Sequence, residues 1–112
     1  METDIKACLK DIEQAINEIN EFVPEKKDFA QFQSDVKTKR AVERNIEIIG
    51  EAVSRIVKIS PEIKISNTRK IIDARNRIIH GYDTVSADIL WGIVVKYLPV
   101  LKQEVLDLLK IS

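Results

Sequence analysis

Residues 75–82, RNRIIHGY, place two arginines, an asparagine and a tyrosine beside the only histidine of the chain. A histidine can accept and donate protons near neutral pH. An arginine can hold a phosphate through two hydrogen bonds and stabilise the charge that develops on it. RNA carries its own nucleophile, the 2′-hydroxyl, so these groups suit metal-free cleavage of its phosphodiester bonds. The chain has one histidine, one cysteine and scattered carboxylates, so we expect no metal and no other cofactor.

The spacing of Arg75 and His80 limits how the two side chains can meet. Five residues of a regular α-helix separate them by about 140° around the axis and by ~7.5 Å along it. Asn76 and His80, four residues apart, share one side of such a helix. Arg75 can therefore meet His80 through its long side chain, through a helix that ends near His80, or through a second copy of the chain.

The same residues also fit a purely structural interpretation. A positively charged histidine is favoured at a helix C-terminus, and the neighbouring arginine can form an ordinary salt bridge. In that case, replacing Arg75 or His80 by alanine affects only stability, by about 1 kcal/mol.

Charge is spread unevenly along the chain. The totals of 18 Lys or Arg and 18 Asp or Glu cancel, so a broad cationic surface that coats nucleic acid is not expected. Residues 1–35 hold four basic against nine acidic residues, residues 36–82 hold eleven against five, and residues 83–112 hold three against four. The middle segment can form a local basic site, although its helices can equally face solvent or pair with acidic ones.

A single cysteine, Cys8, excludes an intrachain disulfide and argues against a zinc site built on cysteines. Cys8 lies on the apolar side of a predicted helix, where we expect it to be a small core residue. No segment approaches the ~18 apolar residues of a membrane span, and the N-terminal sequence has no apolar run. We therefore expect a cytoplasmic protein.

Apolar residues recur at steps of three and four along the whole chain, which predicts helices. The first helix covers residues 4–23, and the second begins near a capping-box-like segment, Asp28 to Gln31, whose early part can be a separate turn. The clear stripe of the second helix covers residues 34–59 and contains Gly50, which can let another backbone approach closely. The three stripes consist of the following residues: Ile5, Leu9, Ile12, Ile16, Ile19, Val23; Val42, Ile46, Ile49, Val53, Ile56; Ile89, Ile93, Val94, Tyr97, Leu101, Val105, Leu108.

A third helix is expected over residues 68–80, with Ser66 or Asn67 as its cap and Gly81 after its end. A fourth begins after Ser86, and Pro99 should kink or break it. The prediction is an all-α fold, an antiparallel four-helix bundle, or five helices if Pro99 divides the last one. The whole chain, residues 1–112, is expected to form one domain of this kind.

Four residues separate Arg75 from His80, and one residue separates His80 from Tyr82. This pattern resembles the signature of the HEPN superfamily in its HepT branch. Members of that branch are small all-helical ribonuclease toxins encoded beside a minimal nucleotidyltransferase antitoxin. The resemblance extends over three blocks in order: RAVERNIEIIGEAVSRI at 40–56, RNRIIHGYDTV at 75–85 and ILWGIVVKYLPVLKQEV at 89–105.

The resemblance implies a role for each residue of the motif. Arg75 and His80 match the catalytic pair, and Asn76 matches a supporting polar position, with Arg77 beside it. Tyr82 matches the tyrosine that the antitoxin modifies with AMP, which blocks the site. Because family members are homodimers whose two motifs line one cleft, a second copy would bring Arg75 and His80 together. The implied substrate is transfer RNA or messenger RNA, with neither DNA nor a membrane as a partner.

Two other functions remain open from the residues. The chain could be the non-catalytic, substrate-binding or nucleotide-binding partner subunit of a two-component nucleotidyltransferase, which would tolerate His80→Gln. It could also be a structural helical adaptor.

Other side chains on the helices carry structural expectations. A row of glutamates at 43, 47 and 51 can pair with Arg40, Arg44 and Arg55 or across a dimer. Trp91, the only tryptophan, is expected in the core or at the dimer interface.

Overall fold

Apolar residues at helical spacing form helices throughout the residues that the computed structural model describes, which are 3–23, 28–80 and 85–111. The elements are α1 (Thr3–Phe22), α2 (Phe29–Ser34), α3 (Val36–Ile59), α4 (Thr68–His80), α5 (Ala87–Gly92), a π-helical segment (Ile93–Tyr97) and α6 (Leu98–Lys110). The prediction of an all-α helical bundle is confirmed.

The core is made almost entirely of aliphatic side chains from the longest helices. Helix α3 packs against both α1 and α4, and α6 covers α1. The first two predicted stripes are buried throughout, whereas Ile89, Tyr97 and Leu108 of the third are only partly buried. Leu90 and Leu98 are buried on that run although the stripe did not include them. Complete burial of one such aliphatic side chain contributes about 1.5–3 kcal/mol. The largest fully buried side chains are Ile5, Leu9, Ile12, Ile16, Ile19, Ile46, Ile49, Ile56, Ile71, Leu90, Leu98 and Leu101. Helix α3 is therefore the central element, and it fixes the position of α4.

The predicted second helix is divided in two at Asp35. The Asp28 carboxylate accepts a hydrogen bond from the Gln31 backbone at 3.2 Å and caps α2, as the sequence suggested. The Asp35 carboxylate accepts from both the Thr38 hydroxyl at 2.6 Å and the Thr38 backbone at 3.0 Å, and so caps α3. These hydrogen bonds hold the pKa of Asp35 below its ordinary value.

Of two side chains singled out in the sequence, Cys8 lies in the core as predicted, and Trp91 packs against the edge of the core. Cys8 is buried, and burial raises the pKa of its thiol. Trp91 is partly buried, with its ring centroid 5.7 Å from that of Phe29 and 5.2 Å from that of Phe32. These ring contacts hold α2 against α5.

Of the two residues predicted to cap α4, Asn67 is the one that directly precedes the helix. The backbone N–H and hydroxyl of the other, Ser66, donate to the Glu104 carboxylate of α6, at 3.1 and 2.8 Å. Asn67 precedes the helix with a φ of 61°, a left-handed conformation that asparagine tolerates better than most residues. Its carbonyl accepts the hydrogen bond of the Ile71 N–H at 3.1 Å. Helix α4 is thus attached to α6 at its N-terminal end.

Pro99 affects the last helical run through a wider turn that precedes it. The Leu98 N–H donates to the Ile93 carbonyl, a five-residue span that defines the π-helical segment. Proline lacks an N–H and conflicts with the carbonyl four residues before it, so a local widening relieves the strain that would otherwise kink the helix. Where a kink or a break was predicted, the helical run continues from α5 through the π-helical segment into α6.

Within the described residues, no helix is both long enough and apolar enough to cross a lipid bilayer.

Candidate active site

Arg75 lies on α4 where this helix makes its closest approach to α3. A Cβ added to Gly50 of α3 would overlap the Arg75 Cβ, and it would lie 2.8 Å from the Arg75 Cγ and 3.3 Å from the Ile71 carbonyl oxygen. Any side chain larger than that of glycine would therefore push the two helices apart. The predicted role of Gly50 in close helix approach is confirmed, and the residue that it accommodates is Arg75.

The Arg75 guanidinium has partners on two sides. Its Nη1 donates to the Asn76 Oδ1 at 3.0 Å, and its Nη2 donates to the Glu51 Oε2 at 2.8 Å. The Nε atom is buried, and it has no hydrogen-bond acceptor among the residues that the structure describes. The arginine side chain is 23% exposed. The head of Arg75 is therefore held in one place, with its terminal nitrogens toward the surface.

Asn76 is brought to Arg75, as the motif implied. Its side chain is partly buried, and its Oδ1 restrains the guanidinium. An amide is suited to this contact because it accepts a hydrogen bond without adding a negative charge at a prospective phosphate site.

His80 is the last residue of α4 and is exposed. Because the helix is regular from Thr68 to His80, five residues place His80 about 140° around the axis from Arg75. The long side chain of Arg75 is directed to Asn76 and Glu51. The structure thus directs Arg75 to partners other than His80, and α4 ends at His80 itself.

Arg77 lies on the other side of α4 from Arg75. It is exposed and lines a groove between α4 and the π-helical segment, together with Lys70 and Lys96. Two carboxylates, Asp73 and Asp88, line the same groove. The structure therefore does not bring Arg77 to the guanidinium of Arg75.

The acidic row on α3 forms only part of its expected ion pairs. Glu43 pairs with Arg40 at 3.9 Å, and Glu47 pairs with Arg44 at 3.2 Å. Glu51 pairs with Arg75, a partner that the sequence did not suggest. The reason is that Glu51 follows Gly50, where the Arg75 side chain packs against α3.

Two further expectations concern Tyr82 and a metal. Tyr82 lies outside the described residues. Within them, His, Cys, Asp and Glu side chains do not gather in groups of three or more that could hold a metal ion.

Comparison with known proteins places these residues in a family. A family model described as Ribonuclease HepT-like matches residues 12–108, which include Arg75, Asn76 and His80. The chain belongs to the HepT-like ribonuclease family. The superfamily resemblance inferred from the sequence motif is confirmed, and the protein is an RNA-cleaving enzyme.

Individual relatives of this HepT-like ribonuclease agree with the family match. A protein named Probable ribonuclease HepT from Thermococcus cleftensis is 39% identical over 106 residues, which cover 91% of this chain and 93% of the relative. Two proteins of Methanocaldococcus jannaschii, each named a putative RNase, are 36% and 30% identical; the alignments cover 91% and 96% of this chain, and 94% and 88% of the relatives. No solved structure gives a significant match.

Sequence reasoning missed one contact of the candidate site, the pairing of Glu51 with Arg75. The signal was present, because the helix of Glu51 carries an interior glycine, and a glycine in that position marks close contact with another element. The sequence could not identify that element as α4, because the packing of α3 against α4 is determined only when the chain folds.

Proposed function

We propose that the chain is a metal-independent endoribonuclease toxin of a type VII toxin–antitoxin pair. Its substrate is transfer RNA or messenger RNA, and a minimal nucleotidyltransferase antitoxin silences it by adding AMP to Tyr82. The observation that carries the proposal is the Arg75 guanidinium, which Gly50 and Asn76 hold in place within a HepT-like ribonuclease.

The chemistry follows from the groups at hand. The RNA 2′-oxygen attacks the adjacent phosphorus, a new oxygen–phosphorus bond forms, and the bond to the 5′-oxygen breaks. His80 assists proton transfer, either from the 2′-hydroxyl or to the leaving 5′-oxygen. Arg75 holds the non-bridging oxygens and stabilises their developing charge. The products are a 2′,3′-cyclic phosphate and a 5′-hydroxyl.

The working enzyme is a homodimer in this proposal, with Arg75 of one copy acting beside His80 of the other. The 140° offset on α4 supports this arrangement. So does the surface next to Arg75, where Ile72, Asn76 and Ile79 share one side of the helix and Ile79 is 41% exposed. An exposed isoleucine on that side is suited to burial against a second copy, which would place both motifs at one cleft.

Arg77 serves RNA capture in this scheme. Its groove carries Lys70 and Lys96, which can contact the phosphate backbone without identifying bases. The surplus of basic over acidic residues in the segment 36–82 supports this role on a chain whose net charge is zero.

Tyr82 serves as the control point. It lies two residues after His80, so an added AMP would place bulk and negative charge beside the catalytic histidine. Both effects would exclude RNA, the first by sterics and the second by repulsion of its phosphates. The motif spacing and the family membership support this assignment.

The test is cleavage of a transfer RNA mixture in EDTA by purified protein whose intact mass carries no adduct. Wild type should cut the RNA and leave cyclic phosphate ends, and His80→Ala should not. A third sample, treated with a cognate nucleotidyltransferase and ATP, should gain the mass of AMP and lose activity, whereas Tyr82→Phe should gain no mass.

Each result decides a different part of the proposal. Cleavage by both wild type and His80→Ala would show that His80 is not catalytic. Cleavage by neither on transfer RNA or messenger RNA would favour the non-catalytic partner subunit. An AMP adduct on the Tyr82→Phe variant would move the modification site elsewhere.

A further inference from the structure

The ion pair between Glu51 and Arg75 lies where an RNA phosphate would have to bind. The Glu51 Oε2 accepts from the Arg75 Nη2 at 2.8 Å. The glutamate side chain is 59% exposed, whereas the arginine side chain is 23% exposed. The carboxylate is thus the outer member of the pair, and an anion arriving from solution meets it at the guanidinium.

Arg75 has restraints other than its contact with Glu51. Its Cβ and Cγ pack against the bare backbone of Gly50. Its Nη1 is held by the Asn76 Oδ1 at 3.0 Å, and its Nε is buried. A single contact to an exposed carboxylate adds little to this fixation.

The buried Nε limits which nitrogens of the Arg75 guanidinium can bind a ligand. A guanidinium has five N–H donors, and a phosphate usually takes two of them at once. Because the Nε is inaccessible to solvent, a phosphate must use the terminal nitrogens Nη1 and Nη2. The Nη2 already donates one of its two N–H groups to Glu51, so the carboxylate and the phosphate are two anions that compete for the same nitrogen.

We propose that Glu51 is an internal competitor for the RNA phosphate at Arg75 and determines which ligands the site accepts. This inference depends on the proposed function in one respect, the binding of phosphate by Arg75. RNA long enough to contact basic groups elsewhere on the protein displaces the carboxylate, whereas a single phosphate or a mononucleotide, which lacks those contacts, does not. Glu51 thereby disfavours the binding of small phosphate compounds relative to the binding of RNA.

Equilibrium binding of a fluorescent RNA with 2′-O-methyl groups tests the proposal. This RNA lacks the nucleophile, so binding is measured without cleavage. Glu51→Gln and Glu51→Ala should both lower the Kd, by roughly threefold to tenfold, because each removes the competing charge. The relative gain in affinity from Glu51→Gln should be larger for a mononucleotide than for the RNA.

The matched control is Glu47→Gln. It removes the same charge one turn earlier on α3, where the carboxylate pairs with Arg44 and not with Arg75. Its Kd should remain close to that of the wild type. In the Arg75→Ala background, Glu51→Gln should give no gain, since the competed donor is gone.

Three results would overturn the inference. If Glu51→Ala weakens binding while Glu51→Gln matches the wild type, Glu51 positions Arg75 by hydrogen bonding. If Glu47→Gln tightens binding as much as Glu51→Gln, the effect is general electrostatics. If the gain persists without Arg75, the competition is not at that residue. Circular dichroism and gel filtration on each variant would separate these results from misfolding or altered assembly.

Cleavage of unmodified RNA by the same variants separates this inference from the proposed function. Tighter, Arg75-dependent binding by Glu51→Gln without cleavage by any variant would retain the phosphate competition and reject the ribonuclease mechanism. Cleavage that requires His80, with no gain in RNA affinity from Glu51→Gln, would retain the ribonuclease mechanism and reject the phosphate competition.

Discussion

At the residue scale, the Arg75 guanidinium has two hydrogen-bond partners that reach it in different ways. The pairing of Arg75 with Asn76 follows from adjacency in the motif, and it is present at 3.0 Å. The pairing with Glu51 joins residues that are 24 positions apart, and only the contact of α3 with α4 creates it. Local spacing can predict neighbours on one helix, whereas partners from two helices depend on packing that the sequence does not state.

The fixed guanidinium leads to a prediction for Arg75→Lys. Lysine keeps the positive charge but replaces a planar fork of donors by a point charge on a flexible stem. We expect kcat to fall by about 10²–10³-fold, the usual effect of losing a donor to a developing oxyanion. Steady-state cleavage of RNA would measure it, with the melting temperature as a control for folding. Activity within a fewfold of wild type would mean that charge alone suffices at this position.

At the element scale, the sequence predicted the helices well and their irregularities less well. Stripes of aliphatic residues located α1 and α3 because burial has a strong period of 3.6 residues, and α4 was located by its predicted cap and by the glycine after its end. Pro99 was predicted to interrupt the last helix. The sequence could not decide among a kink, a break and a π turn, because each accommodates the missing N–H of proline. Likewise, Ser66 could cap α4 or bind elsewhere, and its attachment to Glu104 depends on the position of α6.

The two helical glycines allow a matched test of the α3–α4 contact. Gly50→Ala should destabilise the fold, because the overlap with Arg75 costs about 1–3 kcal/mol and exceeds the ~1 kcal/mol gain in helix propensity. Gly92→Ala adds a Cβ with no atom within 4 Å and should be neutral or stabilising by up to ~1 kcal/mol. Urea unfolding of both variants would measure the difference. Equal stability changes would mean that the helices separate freely at Gly50.

At the scale of the whole molecule, the site is divided between two sides of α4. Arg75 is held against α3, while His80 is exposed at the helix end. The sequence anticipated this separation from the five-residue spacing alone, because helix geometry is regular. It could not say which surface of a second copy would complete the site, since shape complementarity arises only after folding.

Mixing two inactive variants tests whether the site is shared between copies. Arg75→Ala and His80→Ala should each be inactive alone. Refolded or co-expressed together, they form some mixed dimers that hold one intact arginine and one intact histidine facing each other. We expect up to about a quarter of the wild-type activity to return, because half of the dimers are mixed and each has one of two sites. No recovery, with mixed dimers verified by differential tagging and mass spectrometry, would place both residues of a site in one copy.

The contact at Gly50 also has a genetic consequence. Every missense mutation of that codon introduces a Cβ where the Arg75 side chain already lies, whichever amino acid results. In a cell that the active enzyme harms, selection for survivors should therefore recover codon 50 alongside codons 75 and 80, although the glycine carries no chemistry of its own. Regained activity in such strains should require glycine at codon 50 again, because the overlapping atoms belong to Arg75, which the proposed chemistry needs.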